Sequence, residues 1–220
     1  MNSKEEYRYI GKSENNVNAV AKATGRAKYC SDMELPGMLY GKVKRSPYPH
    51  ARIIGIDISK AERLPGVKAV IVGDDKTCPF RFGAGIGDEY VLAREKVLYV
   101  GDAVAAVAAE SADIAREAVD LIEVEYEELP AVFDGDEAFK KNPPAILHED
   151  LKSYKTLRSV PPKFDENRPN VFNYFRIRRN HAEDAFKEAD LVFENRFETA
   201  MIHHVQMEPH CGIAQIDDTG

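Results

Sequence analysis

The stretch Thr24–Ile56, TGRAKYCSDMELPGMLYGKVKRSPYPHARIIGI, decides how this chain folds. Pro36-Gly37 is a turn signal between polar Ser31-Asp32 and a strand-like run over residues 38–43. Pro47 and Pro49 push Ser46 and Tyr48 toward extended geometry and forbid a helix. Beyond them Ile53, Ile54, Ile56 and Ile58 form a second β-branched run. The pattern predicts two strands joined by a stiff corner that carries Arg45, His50 and Arg52.

Outward from that corner, Ser59-x-x-Glu62 has the capping-box pattern of a short helix stopped by Pro65-Gly66. Residues 67–72 read as a strand and residues 73–89, rich in Gly, Asp and Pro, as a long surface loop. Residues 97–99 and 104–109 are buried strand material. Ser111 is placed to cap a helix whose apolar positions, Ile114, Ala115, Ala118, Val119 and Ile122, follow the 3.6-residue period. A strand over 121–126 overlaps the end of that helix. Residues 134–169 turn polar and proline-bearing, as expected of an interdomain connection. Further strands are predicted over 171–178, 191–199 and 205–216, with Asn180 capping a short helix that holds Ala185, Phe186 and Ala189. This irregular alternation indicates α+β rather than a doubly wound sheet. Periodicity assigns Leu39, Val43, Ile54, Ile56, Val70, Val104, Val107, Ile114, Val119 and Ile122 to the core.

With 220 residues the chain is long enough to bury a sizeable core. Lys+Arg 30 against Asp+Glu 37, a formal charge of −7, disfavours a nucleic-acid surface. The basic knot of Arg176, Arg178 and Arg179 alternates with Phe175 and Ile177 and reads as a solvated strand face. The N-terminus, MNSKEEYRYIGK, lacks the apolar stretch of a signal peptide, and the apolar run over 103–109 is too short to span a bilayer. Cys30, Cys78 and Cys211 are odd in number and have no C-x-x-C spacing, which disfavours a disulfide framework, a zinc ribbon and a ferredoxin-type cluster. A cytoplasmic location is the expectation. The closing Asp217-Asp218-Thr219-Gly220 reads as a turn that another strand should follow, so the chain is expected to continue.

Four groups of residues have the vocabulary of a site. Phe82-Gly83-Ala84-Gly85-Ile86-Gly87 imitates a nucleotide loop, but strand-like Asp88-Glu89-Tyr90-Val91 follows it where a Rossmann turn needs a helix. His203, His204, Glu208, His210 and Cys211 include metal ligands. On a strand, however, His204, Glu208 and His210 share one face with Gln206, and His203 and Cys211 take the other, so a polar docking face is the expectation. Glu123 and Glu125 alternate with Val124 and Tyr126, and with Glu127 and Glu128 they read as a solvated strand face. Cys30 and Cys78 have no histidine nearby in sequence to activate them.

Four passages, in order, carry a family resemblance. They are TGRAKY…D-x-E-LPGMLYGKV-x-RSP-x-PHARI from Thr24, DEYVLA…VLYVGDAVA over residues 88–105, IEVEYEELPAV over 122–132, and MEPH over 207–210. Together they resemble the molybdenum-binding subunit of the xanthine dehydrogenase and aldehyde oxidase family. Asp102 and Ala103 depart from the glutamine or glutamate and the proline found there. The wording of residues 19–25, AVAKATG, leans toward xanthine dehydrogenase-like members rather than carbon monoxide dehydrogenases. The resemblance implies an N-terminal arm over 1–15 and an α/β-hammerhead domain over 16–133. A connecting segment over 134–169 and the start of the first molybdopterin-binding domain over 170–220 would follow. It also implies oxidative hydroxylation of purines, aldehydes or related heterocycles by a molybdenum–molybdopterin centre. 2Fe-2S clusters and FAD would sit on partner chains, in an oligomeric assembly. The glycine-rich pterin clasp and the glutamate base of such enzymes lie downstream of the matched region. The expectation is therefore no catalytic, cofactor-binding or metal residue here, and no cofactor or activity for the chain alone. A stand-alone binding or assembly module that kept the fold and lost the chemistry is the alternative.

Overall fold

A computed structural model describes residues 7–73, 76, 78, 80–83, 85–155, 165–174, 177–217. Ala84 of the glycine loop, Phe175 and Arg176 of the basic knot, Pro161-Pro162 and the closing residues 218–220 lie outside them. Two compact units are present, one formed by Met1–Pro36 with Glu194–Gly220 and the other by Gly37–Phe193.

In chain order the elements are α1 (Ala19–Ala23), β1 (Tyr40–Arg45), β2 (Ala51–Asp57), α2 (Ser59–Glu62) and β3 (Val67–Val72). Then come β4 (Arg81–Phe82), β5 (Glu89–Tyr90), β6 (Lys96–Val97), β7 (Ala103–Ala109), α3 (Ala112–Leu121) and β8 (Glu123–Glu128). Two short helices close the series, α4 (Gly135–Ala138) and α5 (Ala182–Glu188).

Within the larger unit the strands form two three-stranded antiparallel sheets, β1-β7-β3 and β6-β2-β8, and a β4-β5 hairpin. The proline corner at residues 46–50 therefore carries the chain from one sheet to the other. Pro47 and Pro49 cannot donate to a ladder, so they interrupt pairing at this point.

β7 is the centre of the core. Strand alternation sends Ala105, Val107 and Ala109 to one cluster, with Ala115, Ala118 and Ile122 of the α3 segment. Val104 goes to a second cluster with Ala51, Ala93 and Val97, and Ile56 and Val124 border both. Alanine against alanine lets α3 approach the sheet closely. Ser111 caps that helix as its position predicts, its side chain accepting from the Ile114 N–H at 3.2 Å. α3 ends at Leu121 and β8 starts at Glu123, which resolves the overlap.

Several expectations need correction. Val104, Val107 and Ile122 are buried, and Ile56, Val70, Ile114 and Val119 are half-buried. Leu39, Val43 and Ile54, however, are 45%, 37% and 52% exposed. Ile54 is the extra residue of a bulge, because Ile53 pairs with Tyr126 and Gly55 with Glu125. The bulge resets the alternation and turns Ile54 outward. On β1 the half-buried positions are Tyr40 and Lys44, and the Lys44 ammonium reaches the Val119 carbonyl at 3.2 Å. That register turns Val43 out. Ser59 is the first residue of α2, and its N–H is held by the Asp57 carboxylate at 2.9 Å. Asn180 precedes the actual cap of α5, His181, which makes no side-chain cap bond.

The strands expected over 171–178, 191–199 and 205–216 do not form among the described residues. Residues 191–217 are extended or irregular and exposed throughout. Their backbone groups have no neighbouring strand in the described residues, and a strand without a partner has nothing to hold it.

Candidate functional site

Three of the sequence passages meet in one hydrogen-bonded knot. The Ser46 N–H donates to the Asp102 carbonyl at 2.8 Å, and the Gly101 N–H returns a bond to the Ser46 carbonyl at 2.8 Å. Gly101 has φ +95, a conformation that favours glycine. Arg45 donates to the Gly101 carbonyl at 2.8 Å. Ser46 Oγ accepts from the Tyr48 N–H at 3.0 Å, closing a turn after the first proline.

At the far end of the corner His50 is only 4% exposed. Its Nδ1 lies 2.6 Å from the Pro130 carbonyl, while its own carbonyl accepts from the Leu129 N–H at 2.9 Å. A carbonyl only accepts, so Nδ1 carries a proton and donates it to Pro130. His50 Nε2 and the Tyr126 hydroxyl are both buried without a hydrogen bond. Tyr48 and Tyr126 pack ring to ring, centroids 5.2 Å apart. Burial pushes the Tyr126 phenol up, with the neighbouring Ser46 opposing. Asp102 is also raised by burial, although its carboxylate accepts from the Leu98 N–H at 3.0 Å and Arg45 is close. The knot holds no nucleophile beside a base. Its chemistry is positional: it locks the crossing between the sheets and the exit of β8.

A second cluster was not singled out from the sequence. Tyr90 is flanked by two guanidiniums, Arg81 at 4.5 Å and Arg94 at 4.4 Å from its ring centre, and Arg81 also lies 4.6 Å from Tyr154. His148 meets Tyr154 at 3.3 Å and lies 3.9 Å from Asp88. Burial lowers the His148 pKa, Asp88 opposes, and Lys96 and Arg81 add to the lowering. These residues come from 81–94 and 148–154, and no spacing in sequence announces their meeting. Gly83 sits in the loop between β4 and β5, where a Cβ would lie 2.0 Å from the Ile86 carbonyl oxygen. Gly83 thus serves the β4–β5 hairpin, and among the described residues no helix opens on this loop.

The other sequence candidates are dispersed. Glu123 pairs with Lys60 and Glu127 with Arg52 at 3.0 Å, all on the surface of β2, α2 and β8. Arg178 pairs with Glu183 at 3.0 Å. The Cys78 carbonyl accepts from Arg94 at 3.0 Å. His203, His204, Glu208, His210 and Cys211 are all exposed. His203 Nδ1 accepts from the Val205 N–H at 3.0 Å, and Gln206 reaches His210 at 3.0 Å. Because this segment is no strand, the expected division of its side chains between two faces does not apply. Among the described residues no three His, Cys, Asp or Glu side chains are grouped to hold a metal ion.

Comparison with known proteins fits this architecture. Residues 24–130 match the a/b hammerhead domain of aldehyde oxidase and xanthine dehydrogenase. Residues 164–220 match the molybdopterin cofactor-binding domain. The chain belongs to the xanthine dehydrogenase and aldehyde oxidase family. It is 40% identical to a probable xanthine dehydrogenase subunit of Bacillus subtilis, over 90% of this chain and 24% of that protein. It is 35% identical to the nicotinate dehydrogenase large molybdopterin subunit of Eubacterium barkeri, over 98% of this chain and 46% of that one. Among solved structures, carbon monoxide dehydrogenase from Oligotropha carboxidovorans superposes with a TM-score of 0.60 at 37% identity. That superposition covers 66% of this chain and 18% of the other. The chain thus spans between about a quarter and a half of these two curated relatives.

The fit of the family's cofactor can be tested on the residues present. Among the described residues the buried side-chain polar atoms left without a partner are His50 Nε2, Arg94 Nε and the Tyr126 hydroxyl, all outside the 164–220 match. Residues 191–217 of that match are exposed and carry no regular structure. The described residues 191–217 present exposed side chains rather than an enclosed cleft. No helix among the described residues is long and apolar enough to cross a membrane.

Proposed function

We propose that this chain supplies the hammerhead portion, residues 16–133, and the opening of the first molybdopterin-binding domain, residues 170–220, of a xanthine dehydrogenase-like molybdenum subunit. Residues 134–169 connect the two, and residues 1–15 form an arm. The observation that carries this reading is the ordered pair of family matches, 24–130 then 164–220, the first on a frame of two antiparallel sheets. The assembled enzyme would oxidatively hydroxylate a purine, an aldehyde or a related heterocycle at a molybdenum–molybdopterin centre. Electrons would leave through 2Fe-2S and FAD on partner subunits in a cytoplasmic complex. Catalytic, pterin-binding and metal-binding residues are proposed to lie on parts of the subunit beyond these 220 residues, so the chain alone should bind no molybdopterin and turn over no substrate. The stand-alone binding module is not favoured, because the relatives are named as dehydrogenase subunits.

Co-production decides the matter. The chain is made alone, and with the complementary remainder of a related molybdenum subunit plus its iron–sulfur and flavin subunits. Molybdenum content and acceptor reduction with purine or aldehyde are then measured. The expected result is metal and turnover in the co-produced set only. Molybdopterin on the chain alone, or failure of the remainder to associate with it, would overturn the proposal.

A further inference from the structure

Between the hammerhead match, which ends at residue 130, and the cofactor-binding match, which starts at residue 164, runs a polar, proline-bearing connection. Its composition suits a loose tether. The chain is instead fastened on two sides, within the single unit Gly37–Phe193. Toward the hammerhead, the Arg81 guanidinium lies 4.5 Å from the Tyr90 ring centre and 4.6 Å from that of Tyr154. One cation is thus shared by a tyrosine of β5 and a tyrosine of the connection. Beside it the buried Gly87 donates its N–H to the Lys155 carbonyl at 2.8 Å. Leu151, 9% exposed, anchors the same stretch. Toward the cofactor-binding match, the Asn170 amide spans two residues of the connection. Its Nδ2 donates to the Ala145 carbonyl at 2.8 Å, and its Oδ1 accepts from the Leu147 N–H at 3.0 Å. Arg168 stacks over Phe139, 3.9 Å from the ring centre. The ion pairs on these faces, Lys96–Glu149 at 3.2 Å and Lys152–Glu166 at 3.1 Å, are largely exposed and add little.

We propose that residues 134–155 are a rigid bracket, gripping the β4–β5 hairpin on one side and residues 165–170 on the other, so that the cofactor-binding portion leaves the hammerhead portion from a fixed point. Tyr154 and Asn170 are its positioning residues, one for each grip. An asparagine side chain that serves a carbonyl and an N–H at once fixes the backbone of both residues it spans. A loose tether would let the two grips open independently, whereas a bracket makes opening at one grip felt at the other. The use of the bracket in an assembled subunit rests on the domain reading given above. Its rigidity is read on the chain alone, so the two can fail separately.

The test is amide hydrogen exchange of the full chain, read by nuclear magnetic resonance at the Gly87 and Leu147 N–H groups. Each rate is taken relative to that of Val107, in the central strand β7. Tyr154→Ser deletes the ring on Arg81. It should speed exchange not only at Gly87 but also at Leu147, by about two- to fivefold, the size of a lost exposed cation–π contact. Asn170→Ala frees Leu147 directly and should speed Gly87 as well. Tyr154→Phe keeps the ring and should leave both amides near the parental rates. If Val107 accelerates equally in Tyr154→Ser, the whole fold has loosened, and Arg81→Lys replaces it, keeping the charge and losing the planar stack. Acceleration confined to the mutated grip, or equal rates in Tyr154→Phe and Tyr154→Ser, would overturn the proposal.

Discussion

The sequence predicts strands both at β7 and over 205–216, yet only β7 is one. β7 has a neighbour on each side, with Val107 facing Lys42 of β1 and Val70 of β3. α3 covers one face. The segment 205–216 has neither a neighbouring strand nor a covering layer among the described residues, and Val205, Met207, Ile213 and Ile216 are exposed. Alternation encodes which side chains can share a face. A strand also needs a partner to take its N–H and C=O groups, and that requirement lies in other residues.

The sharpest way to break this contrast is to delete apolar mass on each side of it. Ile122→Ala removes a side chain that is 2% exposed between α3 and β7, and should cost about 2–5 kcal/mol in urea unfolding. Ile202→Ala, at a position 83% exposed, should stay within about 0.5 kcal/mol. Equal losses would mean that the exposed segment packs in solution.

Backbone approach gives a second, smaller contrast. A Cβ at Gly73 would lie 2.2 Å from the Ala93 carbonyl oxygen, whereas one at Gly212 would meet nothing within 4 Å. Gly73→Ala should therefore cost about 1–3 kcal/mol and Gly212→Ala close to nothing, by the same unfolding measurement. Helix ends give a third. Ser111→Ala deletes a formed cap and should cost about 1 kcal/mol, while His181→Ala at α5 removes no cap bond and should change little.

Much of the hammerhead portion was legible because its signals are local. The proline corner, the Ser111 cap and the period of Ala115, Ala118 and Ile122 each rest on neighbours a few residues away. Val43 and Ile54 were misassigned because a bulge and a strand register are set by the partner strand, which periodicity does not contain. The Arg81–Tyr90–Arg94 stack was invisible for a related reason: it joins residues whose nearness exists only in the folded chain. His203, His204, Glu208 and His210 lie on no strand, so strand alternation does not divide them between two faces.

The smallest expected effect is a pH slope, set by the state of one imidazole. His148 lies half-buried against Tyr154 and Asp88, and burial holds its pKa below the ordinary histidine value of 6.5. In the window between that value and the lower folded-state one, the unfolded chain takes up a proton that the folded chain refuses. Stability contributed by neutral His148 is therefore complete above the unfolded value. It falls as pH drops through 6.5 and stops falling below the folded-state pKa. His148→Gln cannot titrate, so the stability difference between wild type and variant should shrink on acidification from about pH 7.5 to about pH 5. Urea midpoints across that range measure it. A difference that widens toward acid would mean that Asp88 dominates and that His148 is held as a cation in the fold, reversing the electrostatic account of this cluster.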